Sequence, residues 1–343
     1  DGLIDINDPD CQSPENCTDG IDNDGDGLVD LNDPDCSSST QIIPSGINRI
    51  DADLSPALSG NGIGVVNADI AIIDSGIDNH KDLNIFLHRD FISGSVVTAP
   101  DKNGHGTHVA GIAAAKDDKN GVVGVAPGAR LWNLKVLDAE GSGSISNVIK
   151  AIDYATLNSD KIEVINLSLG CQCSSSALDV AIDKATNSGI TVVAAAGNEA
   201  IDAKSFSPAN HPKVITVSAI SDSDGKCGSL GSKTNYGNDD SFATFSNFGN
   251  LIEIAAPGVN IYSTYKGDSY ATLSGTSMAT PYVAGSVALY KELHPEATPE
   301  QVKNIIRNLG TTSSTLCDGK GRGYFTADKD TFQEPMLYIR NLS

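Results

Sequence analysis

Three short stretches carry residue types suited to nucleophilic catalysis. Ala271–Leu289, ATLSGTSMATPYVAGSVAL, sets Ser277 in a Gly-Thr-Ser-Met-Ala turn ahead of Pro281 and an apolar run that meets no charge until Lys291. Small residues followed by such a run predict a tight turn opening a buried helix. A serine there sits at the positive end of a helix dipole, among backbone N–H groups that lack intrahelical partners. That environment stabilises negative charge developing beside a nucleophilic oxygen. A serine before a helix also serves as a plain cap, so the chemistry has to be completed from elsewhere in the chain.

Two upstream stretches complete it. Ala68–Asp78, ADIAIIDSGID, reads as a buried strand whose last residue, Asp74, emerges at the carboxyl edge of a sheet, where open α/β folds place ligands. Asn103–Ala115, NGHGTHVAGIAAA, puts His105 between two glycines and directly before a helix of small residues. Taken singly, the aspartate is a cap and the histidine a surface residue. Taken together, an acid, an imidazole and a hydroxyl, each in a glycine-containing turn at the edge of an apolar element, are the parts of a charge-assisted triad. Ile190–Asn198, ITVVAAAGN, is a fourth stretch, another buried strand, closing on Gly197 and Asn198. By itself that asparagine is turn chemistry.

The chain order Asp, His, Ser is one of the orders in which unrelated folds assemble a triad. The boxes DSGID, HGTHVAG and GTSMATPYVAG, in that order, resemble the three active-site boxes of the subtilisin-like serine proteases, the subtilases. The resemblance runs from about Gln41 to the C-terminal region. It implies a three-layer α/β domain with a mainly parallel central sheet over residues 41–343. It implies a secreted serine endopeptidase with Asp74, His105 and Ser277 as the triad and Asn198 as an oxyanion donor. Gly141, Ser142, Gly143 and Ser144 resemble the edge segment that pairs with extended substrate. Ser168, Leu169 and Gly170 resemble the opposing segment, and Ala195, Ala196 and Gly197 the wall of the first specificity pocket. Peptide lying as a strand between two backbones is read through its main chain, which implies broad specificity. Glu199 at the pocket mouth implies a modest preference for basic side chains, and Phe206 is placed at its floor. The resemblance also implies a calcium site built from side chains of Gln41, Asp82 and Asp118 and carbonyls of Lys116, Asn120 and Val122. An N-terminal propeptide, acting as inhibitor and folding chaperone and then removed, belongs to the same expectation. Tyr282 stands where the family has histidine, on the packed side of the helix.

Composition bounds the remaining choices. A 343-residue chain with 39% hydrophobic residues suits a globular core. No apolar run reaches the roughly eighteen residues of a membrane span. No signal-peptide pattern is visible, which predicts a processed chain. The net charge of −21 argues against nucleic acid as a partner. It is unevenly spread: residues 1–36 hold twelve acids and no Lys or Arg, leaving 32 acids against 23 bases, or −9, for the rest. Seven cysteines in an exported hydrolase predict disulfides, with pairings open and one thiol left over. A monomer acting on protein or peptide substrates is expected.

Residues 1–40 form a separate acidic segment in which DGLIDINDPDC at 1–11 recurs as DGLVDLNDPDC at 26–36. Around the second copy, Asp22, Asp24, Asp26, Leu28, Asp30 and Asp33 fall at positions 1, 3, 5, 7, 9 and 12 of a loop with Gly27 at position 6. That is the ligand spacing of an EF-hand-type calcium loop, with Leu28 offering its carbonyl. Such dense carboxylates repel one another unless a divalent cation lies between them. The other reading of the segment is an acidic leader without fixed structure. Cys17 and Cys36 bracket the loop and are its expected disulfide. For the whole chain, one competing class is a calcium-dependent adhesion module on an inactive protease fold. An esterase is disfavoured, because Gly-Thr-Ser-Met-Ala lacks the last glycine of the Gly-x-Ser-x-Gly elbow.

Overall fold

The computed structural model describes residues 41–343. The calcium-loop residues Asp22 to Asp33 and the Cys17–Cys36 pairing lie outside the described residues.

A period-two side-chain pattern builds the centre of the molecule. In β1 (Asp69–Asp74), Ile70 and Ile72 point into one hydrophobic core, while Ala71 and Ile73 point into another on the opposite face. A strand buried on both faces belongs in the middle of a parallel sheet, as its unbroken apolar run requires. In chain order the other strands of this sheet are β2 (Ile85–Asp90), β3 (Arg130–Lys135), β4 (Val164–Leu167), β5 (Thr191–Ala195), β6 (Ile215–Ser221), β7 (Ser241–Phe242) and β8 (Ile254–Pro257). The spatial order is β2-β3-β1-β4-β5-β6-β7, with β8 also on β6, and every pairing is parallel except β6 with β7. β9 (Ile261–Tyr265) and β10 (Ser269–Leu273) form a separate antiparallel hairpin.

Helices cover both faces, giving the expected three-layer α/β architecture. α2 (His105–Ala114) and α5 (Thr276–Leu293) pack on one side with α1 (Ser45–Arg49) and α6 (Pro299–Leu309). α3 (Ile145–Thr156) and α4 (Ser176–Asn187) cover the other. The small residues of α2 and α5, including Ala110, Ala113, Ala284 and Ala288, let these two helices meet at the centre of the larger core. α6 starts at a capping box, with the Thr298 hydroxyl accepting the Gln301 N–H and Pro299 at the first helical position.

The chain reverses direction around β1. β2 and β3 lie to one side of it, and β4 onward to the other. Such a switch point leaves a crevice beyond the carboxyl ends of the neighbouring strands. Asp74 ends β1, and Ser168 follows β4 next door.

Residues 221–241 keep a largely exposed middle, as the surface loop that their Gly, Ser and Asp content suggests, but the two ends of the segment turn inward. Asp222, Asp239 and Asp240 are buried, and Asp240 pairs at 2.8 Å with a fully buried Arg49 from α1. An arginine inside a core needs such a partner, and this requirement turns the ends of the acidic segment inward. Disulfides join Cys227 to Cys317, 90 residues on, and Cys171 to Cys173. Among the described residues no helix is long and apolar enough to cross a membrane.

Candidate active site

β1 delivers a fully buried carboxylate. Asp74 Oδ1 accepts the N–H of Ser75 at 2.6 Å and the Nδ1–H of His105 at 2.8 Å. His105 is the first residue of α2, so its backbone is fixed by a helix start while its ring reaches back to the strand. The approach depends on Gly106: a Cβ there would lie 2.1 Å from the Gly76 carbonyl oxygen and 3.1 Å from Asp74. Burial disfavours the imidazolium, but the charge of Asp74, its hydrogen bond and the charge of Asp101 outweigh that cost, leaving the His105 pKa above the ordinary value.

Ser277 is the second residue of α5, at the helix's positive end. Pro281, four residues on, has no N–H to give, so the Ser277 carbonyl is free of its usual helical partner. The Ser168 hydroxyl donates to that carbonyl at 2.8 Å, and the Ser277 hydroxyl donates to the Ser168 carbonyl at 3.1 Å. The proline thus creates the acceptor through which the segment after β4 is tied to the serine. The direct Ser277–His105 hydrogen bond expected of a triad is absent in this conformation, because the serine hydroxyl is turned to Ser168 instead.

Asn198 follows β5 in an exposed turn. Its Oδ1 accepts from the Thr276 N–H at 2.8 Å and the Thr276 hydroxyl at 3.0 Å. With its oxygen held beside the start of α5, the amide offers Nδ2 as the outward donor. Ala195 ends β5, the Ala196 N–H donates to Val217, and the Gly197 N–H donates to the Thr276 hydroxyl at 3.1 Å. The Phe206 ring is packed against both Gly170 and Gly197. Glu199 Oε2 accepts from Asn247 Nδ2 at 3.0 Å, which ties it to a neighbouring loop.

A cleft of about 430 Å³ opens beside His105. Gly141, Ser142 and Gly143 line one side and Ser168, Leu169 and Gly170 the other, with Leu137, Ile145, Val148 and Leu178 supplying apolar walls. Ser144 caps α3 by accepting the Asn147 N–H, which anchors the first segment to a helix.

A second constellation lies away from the cleft. The Gln41 amide Nε2 donates to the carbonyls of Lys116 (2.7 Å), Asn120 (3.1 Å) and Val122 (3.3 Å), so three carbonyl oxygens converge on one point. Beside them Asp82 Oδ2 accepts from Val122 N–H at 2.8 Å, while its Oδ1 is buried without a hydrogen-bond partner. Burial pushes the Asp82 carboxyl up to about 6. Asp118 Oδ1 accepts the Asn120 N–H within the same loop. Asp222, Asp224 and Asp239 form a further acidic group whose oxygens lie within 4.8 Å of one another.

Sequence reasoning missed Asp101 and Lys135, which stand outside the boxes, and the supporting contacts of Ser75 and Thr276, which lie inside them; these four hold the candidate catalytic residues. Asp101 had a signal: Asp-x-Asn-Gly directly before His105 is a local side-chain-to-backbone turn pattern.

Comparison with known proteins identifies the family. Residues 66–323 match the subtilase family. Subtilisin Savinase from Lederbergia lenta is 40% identical over 282 residues, covering 82% of this chain and 96% of that protein. Subtilisin E from Bacillus subtilis (strain 168) is 41% identical over 286 residues, covering 82% of this chain and 70% of that protein. The crystal structure of a cold adapted subtilisin-like serine proteinase superposes with a TM-score of 0.67 at 30% identity, over 88% of this chain and 98% of that one. Family, sequence identity over nearly a whole relative and shared fold together place the chain in the subtilase family, as a serine endopeptidase acting on protein or peptide substrates.

Proposed function

We propose that the chain is a secreted, calcium-stabilised endopeptidase of broad specificity working through Asp74, His105 and Ser277. Rotation of the Ser277 hydroxyl away from Ser168 brings it to the free nitrogen of His105, which accepts its proton as the oxygen attacks the peptide carbonyl. Asp74 holds the ring in the tautomer with Nδ1 protonated and stabilises the imidazolium that forms. Nδ2 of Asn198 and the N–H of Ser277 donate to the oxyanion. His105 then returns the proton to the leaving amine, and water repeats the sequence on the acyl-enzyme. The peptide lies as a strand between 141–144 and 168–170, held chiefly by main-chain bonds.

The observation that carries this reading is the 2.8 Å bond between Asp74 and His105, made across 31 residues at the mouth of the cleft. Hydrolysis of casein compared with a short fatty ester, before and after Ser277→Ala, tests it. Casein cleavage abolished by the substitution supports it. Ester cleavage alone supports an esterase, and calcium-dependent adhesion without hydrolysis supports an inactive protease fold.

Calcium fits the Gln41, Asp82, Asp118, Lys116, Asn120 and Val122 constellation. Its support is the buried Asp82 oxygen without a hydrogen-bond partner beside three converging carbonyls, the hard oxygen donors this cation takes. A half-turn of the Gln41 amide presents its oxygen to the same point. Bound calcium would neutralise Asp82 and tie the 116–122 loop to the segment at Gln41. The ligand spacing of Asp22 to Asp33 supports a second calcium loop in a separate segment 1–40. Two disulfides in the described residues support an oxidising, extracellular location. Removal of an N-terminal propeptide that inhibits and chaperones the domain belongs to the same reading, as does a monomeric state.

A further inference from the structure

Asp101 is 3% exposed, stands outside the three boxes, and accepts five hydrogen bonds. Its Oδ1 takes the Ser75 hydroxyl at 2.8 Å and the N–H groups of Asn103 and Gly104 at 3.1 and 2.7 Å. Its Oδ2 takes the N–H and hydroxyl of Thr107 at 2.9 and 2.6 Å. The Ser75 hydroxyl in turn accepts the Gly106 N–H at 3.0 Å. One carboxylate therefore grips the residue after Asp74 and the backbone on both sides of His105. It does so at the start of α2, where N–H groups lack helical partners and negative charge is favoured.

The charges around the imidazole come from several elements. Asp74 faces it from the end of β1 and Asp101 from the preceding loop, with His108 one turn along α2. Lys135 ends β3 among Asp101, Asp90, Asp74 and Asp138, and its ammonium donates to the carbonyls of Ser75 and Leu137. Asp74 and Asp101 are the two anions that act on the imidazole. Removing Asp101 takes away one of the two negative charges that stabilise the imidazolium, a loss that low-dielectric surroundings make costly.

We propose that Asp101 is a positioning residue of the triad: it fixes the Asp74–His105 geometry and supplies the second anion that balances the imidazolium. The proposal rests on the triad reading above. It reaches His105 only through the backbone and the local field, since no Asp101 atom bonds the ring.

The test is the pH profile of kcat/KM on a peptide p-nitroanilide for Asp101→Asn, Ser75→Ala and Lys135→Met, with melting temperature recorded for each. For Asp101→Asn, kcat falls about tenfold with KM little changed, less than the 10²-fold of a full ångström's misplacement. Its acid limb moves to lower pH, because the imidazolium has lost an anion. Ser75→Ala lowers kcat without moving the limb. Lys135→Met keeps both anions, removes the opposing cation and moves the limb to higher pH. It keeps the proposal testable even if Asp101→Asn does not fold. A limb that stays in place in every folded charge variant overturns the proposal, as does an Asp101→Asn enzyme with wild-type kcat. Wild-type protein with no Ser277-dependent hydrolysis would instead remove the reading beneath it.

Discussion

Gly106→Ala inserts one methyl group where the site leaves no room for it. The new Cβ would lie 2.1 Å from the Gly76 carbonyl oxygen and 3.1 Å from both Cβ and Oδ1 of Asp74. Carbon and oxygen in contact sit near 3.4 Å, so relief requires a separation of roughly 1 Å between the start of α2 and the end of β1. The obstacle is backbone, which cannot swing aside as a flexible side chain would. That displacement falls on the residue next to His105, whose bond to Asp74 spans 2.8 Å. Misplacement by about 1 Å costs on the order of 10²-fold in rate, or about 2.7 kcal/mol of transition-state stabilisation. Alanine is the better helix former by about 1 kcal/mol, so intrinsic propensity favours the variant and cannot explain a loss. The assay is kcat and KM on a peptide p-nitroanilide, with circular dichroism showing that the fold is retained. A folded variant working at the wild-type rate would refute the argument that this glycine sets the acid–imidazole distance.

Further outcomes follow from the same geometry. Because the His105 pKa is raised and the neutral ring is the base, wild-type kcat/KM falls with acidification through an apparent pKa above the ordinary histidine value, about 6.5; an acid limb below that value contradicts it. Phe206→Ala opens space between Gly170 and Gly197 and raises kcat/KM for bulky residues at the scissile position relative to alanine, read from a p-nitroanilide series. An unchanged ratio would show that the ring does not bound this pocket. Excess EDTA lowers the melting temperature, and restored calcium recovers it. Neutralising Asp82 with Asp82→Asn removes most of the calcium-dependent difference, whereas an equal response in both proteins would place the cation elsewhere.

The residues proposed as the triad stood out in the sequence because each sits where a local pattern breaks. The β1 run Asp69–Asp74 ends on an acid, α2 begins on a histidine, and the apolar α5 begins with small polar residues. Parallel strands buried on both faces and helices of small residues were equally visible as unbroken apolar runs. Three things were not visible, each depending on contacts remote in sequence. The inward turn of Asp222 and Asp240 is set by Arg49, which lies 191 positions from Asp240 and meets both. The disulfides Cys171–Cys173 and Cys227–Cys317 could be known only once the loops were in place. The Ser168–Ser277 exchange arises because Pro281 frees a carbonyl, and its partner lies 109 residues upstream. Asp101 shows the intermediate case: its turn pattern was local, but Ser75 and Thr107, which define its work, come from two other elements.

The central claim is that Ser277 is the nucleophile made reactive by His105 and Asp74. The most direct measurement is the rate at which a fluorophosphonate labels the protein, with the modified residue located by mass spectrometry, in the wild type and in His105→Ala and Asp74→Asn. The account predicts stoichiometric, rapid modification of Ser277 in the wild type and slowing by orders of magnitude in both variants while the fold persists. Label on another residue, or on Ser277 at a rate indifferent to His105 and Asp74, would contradict it.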